Sequence, residues 1–397
     1  MKVAILCEYP LNAKGNGASK HIERLIFHLS NIKDIELHVI TFGDKNESFS
    51  KNGLNIHVMK KLKPYTLWFF FLVWRLIHKT IKIDPDLVHG IVTTLPYSTA
   101  VAFIRNKPTL LSVLGVVKEE VKYVKGVIPF IIKLVNMVNE KYVMSKIPNI
   151  IVQNNNIKQL VSEITSSRVY VVPEGIEFNN IQYIQPYVLN EKVDIFLPVA
   201  LVKLKGIDVL IRAVQRVIRS VPDIKVCIAG SGEEEARLKE LVHELNLENH
   251  ITFLGYISDE KEIIRYYKVC KIVVVPSRWD VEPFAPLYAA ACGKPSIVSD
   301  MCNSSVIEDG RTGFVFKSED IESLANKIVK LLTNDKMREE MGRAAMEKAK
   351  EYDWDNIAKR VLEIYNDAIA NFRERKLLEE EKRLSEMTKT KSSIKNL

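Results

Sequence analysis

Two carboxylates lie directly behind an apolar strand in the stretch KIVVVPSRWDVEPFAPLYAAACGKP, residues 271–295. The run IVVV predicts a buried strand, the loop after it contains Asp280 and Glu282, and the small residues that follow predict a helix. A carboxylate at the mouth of a strand can hold substrate hydroxyls or stabilise positive charge that develops during a reaction. Residues two apart in an extended loop point to opposite sides, so we expect only one of the acids to face a cleft. If both were buried together, their repulsion would raise the pKa of one.

A lysine in the second half of the chain could bind phosphate. Lys203 and Lys205 stand just before Gly206 and a predicted helix, in LVKLKGIDVLIRAV. A lysine fixed at the opening of an α/β cleft is a point charge suited to a diphosphate, whereas a solvated lysine is the ordinary alternative. Lys205 adjoins the glycine, so we favour it over Lys203.

Glycine pairs follow two of the predicted strands. Gly15 and Gly17 come after the first strand, and Gly230 and Gly232 follow a strand of the second half. Such loops let backbone amides approach an anion at a helix N-terminus, but glycine also serves plain turns. The glutamates that follow Gly232 would repel a phosphate, so a structural turn explains that pair at least as well.

No metal site is predicted. The two Asp-x-Asp matches, Asp84 with Asp86 and Asp353 with Asp355, precede a strand and a helix start, where capping explains them better than magnesium. The five cysteines are scattered without Cys-x-x-Cys spacing, which favours reduced thiols in the core.

The elements that position these residues alternate in type along the chain. Short β-branched runs recur, each followed by a longer segment of helical periodicity, which predicts parallel sheets covered on both faces. The pattern restarts after the polar stretch PEGIEFNNIQYIQPYVLNEK. We therefore predict two doubly wound α/β domains that face each other across a cleft, residues 1–185 and 186–371, followed by a charged tail, 372–397.

Composition narrows the class of protein. The chain has 397 residues, 47% hydrophobic and 27% charged, which is globular, and a net charge of +8. The basic residues are dispersed among acids, which disfavours a nucleic-acid binder. The N-terminus, MKVAILCEYPLN, turns polar too soon for a secretory signal, so we expect a cytoplasmic protein.

Residues 60–83 stand outside the strand–helix rhythm. The segment has no acid and places five aromatic residues, between Trp68 and Trp74, inside basic ends. Its apolar core is shorter than the roughly 20 residues that a membrane span needs. It could lie in the interface of an anionic membrane, or it could be a helix packed on its own sheet.

Residues 173–354 resemble the C-terminal half of the GT4 retaining glycosyltransferases, which have the GT-B fold of two Rossmann-like domains. The likeness rests on PEGIE, KGIDVLIRAV, VIEDGRTGFVF and the continuous run from AGSGEEEARL to PSIVSD. It is looser in the first half, which in this family binds the variable acceptor.

The resemblance implies a nucleotide-sugar donor in the C-terminal domain, an acceptor on the N-terminal domain, retention of configuration, and neither metal nor cofactor. Lys205 matches the family lysine on the donor diphosphate. Asn16 and Gly17 match the N-terminal glycine loop near the same phosphates, and Gly255 and Tyr256 match the segment that holds the base.

Two family positions differ here. The histidine that the family carries before a glycine is Leu114, before Gly115, and the Gly-Arg ahead of the lysine is Val199 and Ala200. One of two phosphate-binding cations is therefore missing.

The acidic loop also departs from the family, which has two glutamates eight positions apart. Counting back from ACGKP puts them at Asp280 and Tyr288, whereas aligning EPF puts the first at Glu282, which we favour as the catalytic acid. The second glutamate is absent either way. His89 could replace the missing histidine, but a strand-end histidine satisfied by its neighbours is the simpler interpretation.

We therefore predict a retaining, metal-independent transferase that moves a hexose from a nucleotide sugar to a glycan or lipid-linked acceptor at the cytoplasmic membrane face. One alternative is a catalytically degenerate homologue that binds a glycan or a partner protein. A sugar-nucleotide epimerase or phosphorylase of the same fold is the other.

Overall fold

The structure, a computed structural model, describes residues 1–9, 17–51, 53–62, 65–92, 95–114, 137–138, 140–187 and 192–395. Strands and helices alternate along these residues, and the strands form two separate sheets. The predicted α/β class with two doubly wound parallel sheets is confirmed.

The first sheet is built from the N-terminal strands. Its strands are β1 (Lys2–Cys7), β2 (Glu36–Gly43), β3 (Glu47–Lys51), β4 (Leu54–Lys60), β5 (Leu87–Val92), β6 (Thr109–Val113), β7 (Asn149–Val152) and β8 (Arg168–Val171). In the described part of the chain their order is β3-β4-β2-β1-β5-β6-β7-β8, and all pairs are parallel except β3 with β4. Apolar runs such as VAIL in β1 are buried on both faces, as a helix-covered parallel sheet requires.

Helices connect the strands of the first sheet. They are α1 (Gly17–Ser30), α2 (Tyr65–Ile83), α3 (Leu95–Phe103) and α4 (Asn155–Ser162). Residues 140–146 are also helical. The short helix α5 (Phe178–Tyr183) leads to the second sheet.

The second sheet is all parallel. Its strands are β9 (Ile195–Pro198), β10 (Val226–Ala229), β11 (Ile251–Gly255), β12 (Ile272–Val275), β13 (Ser296–Ser299) and β14 (Gly313–Phe316). Their order is β11-β10-β9-β12-β13-β14, so the sheet grows in one direction from β9 and then in the other. The helices between and after these strands are α6 (Ile207–Val217), α7 (Glu235–Glu244), α8 (Glu260–Val269), α9 (Phe284–Ala291), α10 (Ile321–Leu332), α11 (Asp335–Ala349) and α12 (Trp354–Lys395).

The chain passes between the two sheets twice, and the two passages are bonded to each other. Ile176 donates its amide to Tyr352 O at 2.9 Å, and Trp354 donates its amide to Ile176 O at 3.0 Å. Directly beyond this bridge, α12 begins with the buried Trp354. The two connections therefore form one joint.

Helix α12 returns to the first sheet. Its buried residues Ile357, Val361, Ile364 and Tyr365 share a core cluster with the strands β1, β2, β4 and β5. The predicted second domain, 186–371, includes this part of the helix, which packs on the other domain. The domain limits remain predictions.

Helix α2 packs on its own sheet along one face and leaves aromatic side chains exposed on another, while the membrane interpretation stays a prediction. Leu72, Val73 and Leu76 are buried toward α3 and the first sheet, whereas Phe70 is 83% and Trp74 55% exposed. Within the described residues, none of the helices has the length and apolarity of a membrane span.

Gly175→Ala is expected to destabilise the joint. A Cβ at this position would lie 2.4 Å from Cδ2 of Trp354, whose indole is buried and cannot retreat without opening the core. We expect the free energy of unfolding to fall by about 1–3 kcal/mol, measured by urea denaturation.

The control is the same change in a Trp354→Leu background, where the added methyl group has room. The alanine should cost much less there, so additive losses in the double variant would contradict the assigned clash.

Candidate functional site

A cavity of about 990 Å³ lies where the carboxyl ends of the two sheets meet. Strands β9 and β12 are neighbours at this edge although β10 and β11 separate them in the sequence, and such a reversal of strand order is where open α/β sheets bind ligands. The loop after β9 brings Lys205 to the cavity, and the loop after β12 brings Asp280 and Glu282. The described residues that line it from the first domain are Ala18, Leu114, Gln153 and Glu174.

The turn that carries Lys205 is fixed by a close backbone approach. Residues Lys203–Lys205 form one turn of 3-10 helix that ends at Gly206 with φ of 63°. A Cβ at Gly206 would lie 2.0 Å from the carbonyl oxygen of Pro276, so only glycine fits between the two loops. The glycine of the KGID motif therefore serves packing and places the lysine at the cavity.

Arg278 ties the lysine turn to the acidic loop. Its guanidinium donates to Lys203 O at 2.5 Å and, through both terminal nitrogens, to the Asp208 carboxylate at 3.0 Å. Its own amide donates to Leu204 O at 2.8 Å. Sequence reasoning overlooked this arginine, which lies two residues before Asp280 and has no distinguishing spacing.

Lys205 and Asp280 form an ion pair in the cavity, with the ammonium donating to Oδ2 of the carboxylate. Asp280 is held by backbone contacts as well, since its amide donates to Met301 O at 3.1 Å and its carbonyl accepts from the Asn303 amide at 3.2 Å. The ammonium of Lys205 therefore has an internal counter-ion at the cavity.

Glu282 is in a different electrostatic state. It is 9% exposed, and its carboxyl accepts from the amide of Ser305 at 2.8 Å and from the Ser305 hydroxyl at 2.7 Å. The pKa of Glu282 is raised to about 8, mainly by burial; the Ser305 hydrogen bonds oppose this rise, and the charges of Glu174 and Asp280 add to it. At neutral pH the group is largely protonated and can donate a hydrogen bond.

The prediction that only one of the two acids faces the cleft is wrong, because both Asp280 and Glu282 line the same cavity. Asp280 forms an isolated parallel β-bridge with Cys302, and the backbone bends at Val281 and Glu282. The side chains therefore do not alternate between two sides as they would in an extended strand. Glu282 is the acid whose pKa is raised, and burial is the main cause.

The glycine loops remain predicted donor contacts. Gly17 opens α1, and Asn16 lies outside the described residues. A Cβ at Gly230 or Gly232 would lie 1.8 or 2.3 Å from a carbonyl oxygen of the loop after β9, so close packing requires both glycines and the structural-turn interpretation is supported.

The segment predicted to hold the base follows β11. Gly255 accepts from the Gly230 amide at 2.7 Å, and Tyr256 is 62% exposed beside it. Gly230, Gly232, Gly255 and Tyr256 are not among the described residues that line the cavity. Their roles stay predictions.

Three of the positions at which this chain differs from the family line the cavity, and one lies outside it. Leu114, Val199 and Ala200 line it, so an apolar wall stands where the family has a histidine and a cation. Tyr288, at the counted position of the second glutamate, is half-buried and donates to Glu260 between α8 and α9. It therefore does not replace the glutamate.

His89 is a core residue, as the simpler interpretation held. Its nitrogens are bonded to Tyr365 Oη and Ser112 Oγ, both at 2.8 Å, and it is fully buried. Burial lowers its pKa to about 3, so it stays neutral and bonded to its neighbours.

Two cavity residues were missed by sequence reasoning. Glu174, in PEGIE, is buried and bonded to Nδ1 of His21 at 2.6 Å, and Gln153, at the end of β7, is 2% exposed. Their positions after two neighbouring parallel strands were the available signal, since such ends meet at one edge of a sheet.

Two protein families match the chain over adjoining segments. The family described as Glycosyltransferase Family 4 matches residues 15–180, and the family described as Glycosyl transferases group 1 matches residues 180–348. The first segment covers most of the first sheet and the second covers the whole second sheet.

Individual proteins support the same relationship. An uncharacterised glycosyltransferase of Methanocaldococcus jannaschii is 25% identical over 88% of this chain and 94% of its own length. Other curated glycosyltransferases align with less than half of the chain.

Solved structures share the fold. Sucrose-phosphate synthase from Thermosynechococcus elongatus has a TM-score of 0.76 at 20% identity, over 94% of this chain and 100% of that one. Anabaena HepE in complex with UDP-glucose has a TM-score of 0.72 at 17% identity, over 92% and 100%.

Glu282 is expected to make stability depend on pH. Its folded pKa of about 8 exceeds the ordinary value of 4.5, so its contribution is fully present below pH 4.5 and is lost as pH rises toward 8. The free energy of unfolding should fall by about 1.4 kcal/mol per pH unit from this group within that window. Glu282→Gln should remove this slope in urea denaturation at several pH values.

The exposed Glu233, at the rim of the same cavity, supplies the matched control. Glu233→Gln should leave the slope as in the wild type. Equal slopes in the wild type and Glu282→Gln would show that Glu282 ionises normally.

Proposed function

Because the chain belongs to the GT4 glycosyltransferases and has their GT-B fold, we propose that it transfers a hexose from a nucleotide sugar to a glycan or lipid-linked acceptor, with retention of configuration and without a metal ion. The observation that carries this proposal is the placement of Lys205 and the buried Glu282 on one cavity at the strand-order reversal. A fixed cation suits the diphosphate, and a buried carboxyl suits the sugar.

In this proposal the donor diphosphate competes with Asp280 for Lys205. The ammonium is already at the cavity wall and paired, so binding exchanges one anionic partner for another without unfolding the turn. HepE is a structural neighbour solved with UDP-glucose, which makes uridine nucleotides the first donors to test.

Glu282 would hold a donor hydroxyl beside the breaking bond. As a largely neutral acid it donates one hydrogen bond, and ionisation would let it stabilise positive charge that grows at the anomeric carbon. In a front-face retaining reaction the leaving phosphate takes the acceptor proton, so the protein mainly positions groups and stabilises charge. Such a reaction does not require the histidine that Leu114 replaces.

A catalytically degenerate binding protein is the second candidate. It is favoured by the apolar residues Leu114, Val199 and Ala200, which stand at the cavity where the family has a histidine and a cation. The two candidates differ in a measurable way, because a degenerate homologue would bind a donor or a glycan without turnover.

We further propose that α2 holds the protein on the cytoplasmic face of an anionic membrane. Trp68, Phe70, Phe71 and Trp74 are all at least 44% exposed on one side of the helix, and Phe71 stacks on Trp74. Basic side chains on the helix and an absence of acids within Tyr65–Ile83 complement anionic lipid headgroups. This placement would bring a lipid-linked acceptor to the N-terminal domain.

Lys205→Ala tests the donor assignment. The change removes a charge-assisted contact worth roughly 1.5–3 kcal/mol and leaves Asp280 unpaired in the cavity. We expect affinity for UDP or GDP, measured by calorimetry, to fall by about 10-fold or more, while affinity for the nucleoside changes little.

Lys203→Ala is the matched control, because Lys203 lies in the same turn and is exposed. Because Lys203 also lines the cavity but is exposed, its replacement should weaken nucleotide binding far less than the replacement of Lys205. If Lys205→Ala binds the diphosphate as tightly as the wild type does, the assignment of Lys205 fails.

Liposome flotation tests the membrane proposal. The wild type should float with vesicles that contain phosphatidylserine and be partly released as salt rises, and Phe70→Ser with Trp74→Ser should abolish flotation while the protein stays folded. The control pair is Leu377→Ser with Leu378→Ser, since these leucines are 61% and 59% exposed and belong to α12 instead of α2.

Two results would contradict membrane docking. One is a wild type that stays in the dense fraction with anionic vesicles. The other is equal loss of flotation in the α12 control.

A further inference from the structure

Gln153 lines the cavity, and its side chain holds a buried polar atom that has no partner among the described residues. The residue is 2% exposed, and its Oε1 accepts no hydrogen bond from any residue that the structure describes. Buried polar atoms are bonded in the great majority of cases, so an exception in a side chain that lines a cavity points to a missing partner. The missing partner is a hydrogen-bond donor, because the free atom is an amide oxygen.

Gln153 belongs to a row of residues along one edge of the first sheet. Strands β6, β7 and β8 are parallel neighbours, and Leu114, Gln153 and Glu174 follow their carboxyl ends and line the cavity. His21 holds one carboxylate oxygen of Glu174 at 2.6 Å. The wall therefore combines an apolar patch with an amide and an oriented carboxylate.

The adjoining residue holds Gln153 next to the acidic loop. Asn154 accepts from the Ile157 amide at 2.9 Å and so caps α4, while its amide nitrogen donates to Val281 O. Val281 directly precedes Glu282. One asparagine therefore joins the end of β7, which carries Gln153, to the loop that carries the two acids.

Charge indicates what kind of group this wall takes. Among the described lining residues the cations are Lys203 and Lys205, and both belong to the second domain. The described lining residues of the first domain comprise one acid, one amide and two apolar residues, without a cation. A phosphate or carboxylate placed there would meet Glu174 with no compensating charge, whereas a neutral hydroxyl would find two acceptors.

We propose that Gln153 is a specificity-determining residue, whose amide oxygen accepts a hydrogen bond from a hydroxyl of a neutral sugar. The sugar is either the donor hexose or the terminal sugar of the acceptor. This inference rests on the proposed transfer reaction and restricts it to an uncharged sugar at this wall.

Gln153→Met tests the proposal because it keeps the size of the side chain and removes its polar atoms. In the ligand-free protein the change removes a buried, unpaired oxygen, so the melting temperature should rise by about 2–4 °C. A residue with only a structural role would give the opposite shift. Gln159→Met, at an exposed position of α4, is the matched control and should leave the melting temperature and all affinities unchanged.

Binding distinguishes the two sources of the sugar. In the first arm, affinities for UDP-glucose and UDP, and for GDP-mannose and GDP, are measured in pairs. In the second arm, octyl β-D-glucoside and glucose 6-phosphate are compared. Loss of one neutral hydrogen bond should weaken binding about 3- to 10-fold.

Each outcome has one meaning. Weaker binding of a nucleotide sugar, with unchanged binding of its nucleotide, places the donor hexose on Gln153. Weaker binding of the glucoside alone places the acceptor there. A lowered melting temperature, unchanged affinities in both arms, or a preference for glucose 6-phosphate over the glucoside would overturn the proposal.

The proposed transfer reaction can fail separately. If the wild type binds no nucleotide, the reaction is refuted, while the glucoside arm and the melting temperature still decide the role of Gln153.

Discussion

The joint between the two chain passages governs the placement of everything else in this protein. Two backbone hydrogen bonds connect Ile176 with Tyr352 and Trp354, and the buried indole of Trp354 fills the space that a side chain at Gly175 would need. Both crossings between the domains are thus held at one point beside the cavity. Because Glu174 precedes this point directly, the joint also sets the position of a cavity residue.

Helix α1 is bonded to the same joint along one face. His21 contacts Glu174 at 2.6 Å, and Arg24 and His28 contact Glu177 at 2.7 and 3.1 Å. The three α1 residues are spaced three and four apart, so they lie on one side of the helix. Burial alone would lower the pKa of His28, but its hydrogen bonds to Glu177 and Asp355 raise it. The start of α1, where the family resemblance predicts phosphate contacts, is therefore oriented by charges on the linker.

The two acids of one short loop differ in their surroundings and therefore in their chemistry. Asp280 lies beside Lys205 and makes an ion pair, whereas Glu282, two residues on, is buried and has a pKa of about 8. Burial away from any cation favours the neutral form of a carboxyl group, whereas a nearby ammonium group favours its charged form. One loop can thus present a charged group and a largely neutral acid to the same ligand, as the proposed site for a diphosphate and a sugar requires.

The sequence by itself determined the α/β class, the two doubly wound sheets, the family resemblance and the loops that carry Lys205, Asp280 and Glu282. These features are local, since strand runs, glycine turns and motif spacing depend on residues near one another in the chain. The family matches and the shared fold confirm that resemblance.

Only the tertiary structure decided which side chains meet. The return of α12 to the first sheet, the guanidinium of Arg278 between two loops and the unpaired amide oxygen of Gln153 all join residues that are far apart in the chain or lack a motif. The orientation of the two acids also went beyond the sequence, because a bridge to Cys302 and a bend at Glu282 replaced the expected extended loop. The pKa of a side chain depends on its burial and on its bonding partners. Burial and partners in turn depend on contacts between distant parts of the chain, which a local sequence pattern does not encode.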